Sequence, residues 1–387
     1  MRLTDLHPTG VLAPEVSPES AREIQAWKAL AKVIDPEISQ PITKLGMVAA
    51  VEFSGENIEV VIRLTISGCP MRETISADVT RALEDLVSGN VTVNLQSMTK
   101  EQRLALQDDL TGARPKNPFG KDSLTKIYAV ASGKGGVGKS TITANLAAGL
   151  ARTGLSVGLI DADVYGFSIP RIMGISTKPT KVQDMILPPV AHGVKVMSIG
   201  LLVAKDQPVV WRGPMLHKAL QQFITDTYWG DLDVLLVDLP PGTGDIAISS
   251  AELLPDAQLL VITTPESTSS DVAARAGQIS IQTHQPVAGV IENMGPMELQ
   301  DGTVVNIFGS GGGIAVSEHL TSVLEKDIPL MATIPLDPTL RSDSEKGIPS
   351  VIASPNCSAA SALSKLVHEL ASAPRSLFGR KLPVSPR

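Results

Sequence analysis

Apolar and polar positions alternate in two neighbouring runs near the N-terminus. Met47, Ala49, Val51 and Phe53 interleave with Val48, Ala50 and Glu52, and Ile58, Val60, Ile62 and Leu64 interleave with Glu59, Val61 and Arg63. The runs flank the turn Ser54-Gly55-Glu56-Asn57. Period-two alternation around a glycine-containing turn predicts a β-hairpin. Ahead of it, Ile24, Trp27, Ala31 and Ile34 recur at helical spacing. Behind it, residues 67–87 read as a loop feeding a helix, and residues 90–97 as a strand. Helix, hairpin, helix and strand make residues 18–106 a small α+β domain.

The pattern then changes twice. Residues 107–125 are polar, carry Pro and Gly, show no apolar period and read as a linker. From 126 to 373, short runs apolar on both faces alternate with helical stretches. The runs are 126–132, 156–163, 194–200, 234–240, 258–264, 287–293 and 330–336. This predicts an α/β domain with a mostly parallel sheet covered by helices on both faces. Residues 1–17 read as a flexible arm and 374–387 as a disordered tail.

Composition narrows the class without changing this picture. The chain has 387 residues, 43% hydrophobic and 19% charged, with a net charge of -7. That excludes wholesale disorder and argues against a nucleic-acid partner, which wants a concentrated basic surface. Two cysteines, Cys69 and Cys357, cannot build a disulfide framework. No basic-then-apolar leader is seen, and no apolar run reaches the ~20 residues that span a bilayer. The expectation is a cytoplasmic protein with no stable membrane association.

The candidate chemistry lies where the run 126–132 ends. Gly133-Lys134-Gly135-Gly136-Val137-Gly138-Lys139-Ser140, followed by Thr141, fits G-x-x-x-x-G-K-[ST] between a strand and a helix. Glycines let the backbone wrap phosphate with N–H groups inward, and the helix start adds partial positive charge. Lys139 is expected to bridge the β- and γ-phosphates and Ser140 to ligate Mg²⁺. Asp161, Asp163 and Asp238 close other strands, where ligands of open α/β sheets bind. Asp238 and Asp161 are candidates for Mg²⁺, and Asp163 for orienting an attacking water. Gly242 and Gly244 could turn an N–H toward a γ-phosphate, as switch loops do.

The second lysine of the loop, Lys134, carries a resemblance. The loop resembles the deviant P-loop of the signature-lysine ATPases, a P-loop NTPase group. That resemblance implies a homodimer in which Lys134 reaches the nucleotide of the opposite subunit. The segments "DADVYGFSIPRIMG" (161–174), "WRGPMLHKALQQF" (211–223), "DLPPGTGD" (238–245), "IENMG" (291–295) and "FGSGGG" (308–313) resemble the Mrp/ApbC family of iron–sulphur cluster carrier ATPases. "VIDPEI" (33–38) and "SGCPMRE" (67–73) resemble the small iron–sulphur assembly domain often fused ahead of such an ATPase. The resemblance implies ATP binding and hydrolysis, iron–sulphur clusters passed to apoprotein clients, cluster scaffold proteins as partners, and Asn293 at the adenine base.

The chain also departs from the family. Many relatives carry Cys-x-x-Cys between the "ENM" and "FG-GGG" segments; here residues 295–307 contain no cysteine and no histidine. Phe167 and Glu266 stand where relatives tend to have Pro and Gln. Cys69 is left as the candidate cluster ligand, its thiolate expected to be favoured by a helix start and by Arg72. Cys357 reads as structural, and the six histidines show no metal-ligand spacing. Two rival functions fit the same loop: a positioning or partitioning ATPase, and an ATP-locked dimeric adaptor that handles no cluster.

Overall fold

A computed structural model describes residues 21–66, 68–111, 117–120, 123–163, 166–202, 213–242, 245–266, 269–299 and 301–372. The expected arm 1–17, the tail 374–387 and Gly244 lie outside the described residues. The chain forms two compact units. Among the described residues, one comprises 21–111 together with 179–188 and 226–230; the other comprises the rest.

The small unit is built from α1 (Ala21–Leu30), β1 (Val48–Ser54), β2 (Asn57–Leu64), α2 (Arg72–Glu84), β3 (Val91–Ser97) and α3 (Lys100–Thr111). β1 and β2 form the antiparallel hairpin, and β3 joins β2 in parallel after the crossover helix α2. The alternation sets which face is covered. Ile58, Val60, Ile62 and Leu64 are buried against Trp27 and Leu30 of α1 and Ile75, Val79 and Leu83 of α2.

Two sequence expectations shift here. α1 stops at Leu30, and Ile34 is exposed rather than part of the buried stripe. Asp35 precedes a proline, which disfavours the helical region, and its Oδ1 accepts from the N–H groups of Glu37 (2.9 Å) and Ile38 (2.8 Å). Residues 107–111, expected in the linker, are the end of α3, held by Leu106 and Leu110 in the core. The polar Gln107-Asp108-Asp109 between those leucines masks their i, i+4 pairing.

The larger unit follows with β4 (Lys126–Ser132), α4 (Lys139–Arg152), β5 (Val157–Asp161) and α5 (Ile169–Ile172). The chain then forms the hairpin β6 (Thr180–Val182) and β7 (Met185–Leu187), which belongs to the small unit. It returns as β8 (Val190–Ala191), β9 (Val194–Ser198), α6 (Ile199–Leu202), α7 (Gly213–Thr225), β10 (Val234–Asp238), α8 (Asp245–Leu253), β11 (Gln258–Thr263) and α9 (Ser269–Thr283). β12 (Val287–Gly295), β13 (Met297–Glu298), β14 (Val304–Val305), α10 (Gly312–Leu324), β15 (Leu330–Pro335), α11 (Pro338–Lys346), α12 (Ser350–Ala353) and α13 (Ser358–Ser372) complete it.

Its sheet has eight strands in the order β15-β12-β11-β4-β10-β5-β9-β8. Every neighbouring pair is parallel except β8 with β9. β5, β9 and β10 are buried at every position, as a doubly covered parallel sheet requires. Ile142, Leu146 and Leu150 of α4 are fully buried in one core with Leu363 and Leu366 of α13. Strand order reverses at β4, which has β10 on one side and β11 on the other. The carboxyl ends of β4, β5 and β10 therefore open onto the crevice where this architecture binds ligands.

Residues 179–188 and 226–230 were expected inside the α/β domain. Instead Val182, Met185, Leu187 and Tyr228 are buried in the small unit's core with Trp27 and Leu30. Among the described residues, β6 and β7 pair with each other, and β7 bridges to Thr227 through Ile186. Among the described residues no helix is long and apolar enough to cross a membrane.

Candidate functional site

β4 delivers Ser132 to the crevice and α4 begins at Lys139, with residues 133–138 looping between them. Gly136 (φ 80°) and Gly138 (φ 81°) are left-handed, a region costly for residues with a Cβ. Gly138 is doubly constrained, because a Cβ there would collide with the amide of Asn293. Three loop carbonyls are tied to the protein. Arg275 Nη1 donates to Gly133 O (2.6 Å), Ser132 Oγ to Lys134 O (3.0 Å) and Asn293 Nδ2 to Val137 O (2.9 Å). Holding the carbonyls outward suits a loop whose N–H groups serve an anion.

Beneath the loop, three side chains of the first helical turn converge on one carboxylate. Asp238, at the end of β10 and fully buried, accepts from Lys139 Nζ (2.8 Å), Ser140 Oγ (2.6 Å) and Thr143 Oγ1 (3.1 Å). Burial raises its pKa, while the Lys139 ammonium and these hydrogen bonds oppose the rise. Lys139, 6% exposed, also lies 3.9 Å from Asp163 Oδ2. Ser140 and Asp238 thus pair a hydroxyl with a carboxylate, hard oxygen donors of the kind Mg²⁺ prefers, so the residues present fit the ion.

Asp161 is placed differently from its neighbours. It is fully buried, accepts from Ser198 Oγ (3.0 Å) and from the Asp163 N–H (3.2 Å), and its pKa is raised, first by burial and then by Asp238. It braces the turn that presents Asp163. Asp163 lines the cavity and accepts from Gly166 N–H at 3.1 Å. Lys134, expected to extend toward a second subunit, forms an ion pair with Glu266 of its own chain. Gly242 keeps its N–H on Ser132 O (2.9 Å).

The crevice is a cavity of about 1060 Å³. Gly135, Gly136, Val137, Gly138, Lys139, Ser140, Thr141, Asp163 and Asn293 line it, whereas Gly133 and Lys134, also expected at the nucleotide, do not. The opposite wall was missed: Arg171 and Ile172 of α5, and Pro335, Leu336, Asp337 and Arg341 where β15 meets α11. The strand-end rule that found Asp238 applies equally to β15 and reaches Pro335, Leu336 and Asp337, but not Arg171, Ile172 or Arg341. Asp337 caps α11 through Thr339 N–H (2.9 Å) and accepts from Ser358 Oγ (2.9 Å) at the start of α13. Partial burial alone would raise its pKa, but these hydrogen bonds pull it down to about 2. Asp337→Ala is therefore expected to lower stability at neutral pH by about 1–2 kcal/mol, the usual cost of a lost cap. A carboxylate with a lowered folded pKa stabilises above its unfolded value. The gap between wild type and variant in thermal melts should close as pH falls from ~4 toward about 2.

Cys69 corrects an expectation. α2 does begin at Arg72, yet the thiol is 7% exposed and its Sγ lies 3.8 Å from Glu37 Oε2. Burial, and then the Glu37 carboxylate, push the thiol up to about 12, the opposite of the lowering expected from Arg72 and the helix start. Glu37 itself is raised to about 7 by burial and by Asp35. Cys357 is a half-buried thiol whose pKa is raised by burial. Among the described residues no group of three His, Cys, Asp or Glu could hold a metal ion.

Comparison with known proteins agrees with this geometry. Residues 123–371 match the model of the NUBPL iron-transfer P-loop NTPases, and residues 23–95 match that of iron–sulphur cluster assembly proteins. The iron–sulphur cluster carrier protein of Mycobacterium tuberculosis (strain ATCC 25618 / H37Rv) is 52% identical over 363 residues, covering 92% of this chain and 95% of that one. Its namesake from Bacillus subtilis (strain 168) is 40% identical over 318 residues, covering 81% and 88%. A solved nucleotide-binding protein from Archaeoglobus fulgidus, in complex with ADP, aligns at TM-score 0.50 and 32% identity over 64% of this chain and 91% of that one. A glycine loop over a lysine–serine–aspartate cluster, and relatives alike over nearly the whole length, place this chain in the NUBPL iron-transfer P-loop NTPase family, alongside the iron–sulphur cluster carrier proteins.

Proposed function

We propose that the chain binds ATP with Mg²⁺ in the 1060 Å³ cavity, hydrolyses it as a homodimer, and hands iron–sulphur clusters from scaffold proteins to apoprotein clients. The observation that carries the reading is the convergence of Lys139, Ser140 and Thr143 on Asp238 beneath the glycine loop. Lys139 would turn to the β- and γ-phosphates, and Ser140 with Asp238 would hold Mg²⁺. Bound there, the ion supplies neutralisation of charge on the phosphate oxygens. Asp163, held by the Gly166 N–H and braced through Asp161, orients the attacking water. Asn293 both props the loop at Val137 and borders the space for the base. Free thiols at Cys69 and Cys357 suit the reducing cytoplasm.

Lys134 is assigned the charge-neutralising role on the partner's nucleotide, as an arginine finger acts in trans. Its ion pair with Glu266 is exposed, 36% and 44% at the two side chains, and such pairs contribute only ~0–1 kcal/mol. Release is therefore cheap, and Glu266 works as a weak brake. Glu266→Gln should raise phosphate release up to about fivefold at dilute enzyme, the factor that 1 kcal/mol allows. Unchanged or slower release across enzyme concentrations would remove the brake from the account.

The cluster is cargo. The relatives' name and the assembly-protein match of residues 23–95 support it. The segment that carries Cys-x-x-Cys in many relatives here forms the thiol-free hairpin β13–β14. Two Cys69 thiols per dimer supply half of the four thiolates a cluster takes, so scaffold or client completes the set. Anaerobic reconstitution followed by iron counting tests this. Wild type should retain iron and visible absorbance that Cys69→Ala lacks; equal iron in both would contradict the assignment. Absence of phosphate release would instead favour the ATP-locked adaptor, and nucleotide-dependent pelleting with liposomes the positioning ATPase.

A further inference from the structure

Two elements of the cavity wall continue directly into the small unit. α5 contributes Arg171 and Ile172 to the cavity, and the chain leaving it reaches β6 after the short stretch Met173–Pro179. α7 contributes Leu216, ends at Thr225, and is followed at once by 226–230 of the small unit. Within that unit the two incoming stretches are stitched together. Ile186 N–H donates to Asp226 O (2.8 Å), and Tyr228 N–H donates to Ile186 O (2.8 Å). Val182, Met185, Leu187 and Tyr228 then anchor the pair in the core, each at most 4% exposed.

The stitched pair grips one loop at two points. Thr180 Oγ1 donates to Glu37 Oε1 (3.4 Å), and Gln40 Nε2 donates to Tyr228 OH (3.0 Å). Glu37 and Gln40 belong to the loop Asp35–Gln40, closed on itself by Asp35 N–H to Gln40 O (2.9 Å) and Ser39 N–H to Asp35 O (2.7 Å). Ser39 is left-handed at φ 61°, a strained setting for a residue with a Cβ. The second Glu37 oxygen faces Cys69 Sγ at 3.8 Å. Glu37 thus joins the inserted hairpin to the thiol. Cys69 is only 7% exposed and Glu37 is one of the groups against its thiol, so displacing this loop would open that side of it.

We propose that nucleotide occupancy of the cavity controls access to the Cys69 thiol, α5 and α7 carrying the displacement into 179–188 and 226–230, and the Thr180–Glu37 contact acting as the latch. The inference rests on the nucleotide-binding reading and adds to it a line of control from phosphate pocket to thiol. A ligand shifts such an equilibrium only through contacts that differ between the two states; Arg171, Ile172 and Leu216 are the wall residues placed to make them. Coupling is reciprocal, so capping Cys69 must change nucleotide affinity by the same factor.

The test uses the full chain, N-ethylmaleimide as the thiol probe, and mass spectrometry to follow the Cys69 and Cys357 peptides separately. Saturating ATPγS with Mg²⁺ should speed Cys69 labelling at least about fivefold, the lower end of ordinary coupling between sites, and leave Cys357 unchanged. Thr180→Val and the near-isosteric Glu37→Gln, each shown folded by circular dichroism, should label faster without nucleotide and respond less to it. A Cys69 rate unchanged or lowered while a parallel fluorescence titration shows the nucleotide bound overturns the coupling alone. Failure of the nucleotide to bind at all removes the functional reading, and the coupling with it.

Discussion

Replacing Lys139 with alanine is expected to abolish useful ATP binding. The ammonium is 6% exposed, 2.8 Å from Asp238 and 3.9 Å from Asp163, and it is the cation set at the start of α4 beneath the loop. Without it, incoming phosphates meet two carboxylates with no intervening charge, and the backbone amides and helix start are left to hold them at the loop. The free protein tolerates the change, because burial already favours protonation of Asp238. Losing a buried, hydrogen-bonded charge partner of the phosphates costs ~2–5 kcal/mol of binding, so affinity should fall by about a hundredfold in isothermal titration. Binding within a few-fold of wild type would mean that phosphate sits elsewhere.

Replacing Asp238 with asparagine should separate turnover from binding. The side chain keeps its size but loses the charge that Lys139, Ser140 and Thr143 all address. Nucleotide should still bind, because Lys139 and the loop are intact. Magnesium-dependent phosphate release should fall by about 10²–10³, the range seen when one electrostatic partner of a transition state is removed. The same change leaves the buried Lys139 cation with only Asp163, at 3.9 Å, as a carboxylate partner, so the nucleotide-free protein should melt earlier, by an amount corresponding to at most ~3–5 kcal/mol. A wild-type rate in this variant would place the metal away from Ser140 and Asp238.

How much of this could be read from the chain depends on how local each signal is. β4, β10 and β11 are short runs buried on both faces, and such runs are visible residue by residue. The loop 133–140 announces itself because phosphate demands glycines and a lysine at fixed spacing. Asp238 follows from its place at a strand end. What stayed hidden depends on partners far along the chain. The thiol is raised by burial and then by Glu37, which precedes it by a whole hairpin, and neither can be seen from "SGCPMRE", where Arg72 and the helix start dominate the view. Val182 and Tyr228 look like ordinary apolar residues of the α/β domain, and only packing assigns them to the small unit. Asp337 reads as a helix cap, which it is, and only its place just past the end of β15 hints that its neighbours wall a cavity.

The rest of the account requires a triphosphate held by the amides of 133–140, with its metal between Ser140 and Asp238. A crystal structure grown with ATPγS and Mg²⁺ tests that most directly. The account predicts phosphate oxygens enclosed by the loop, Lys139 turned from Asp238 toward them, and the ion within coordination distance of the Ser140 hydroxyl. Density for the nucleotide anywhere else, or a loop that leaves the phosphates in solvent, would contradict it.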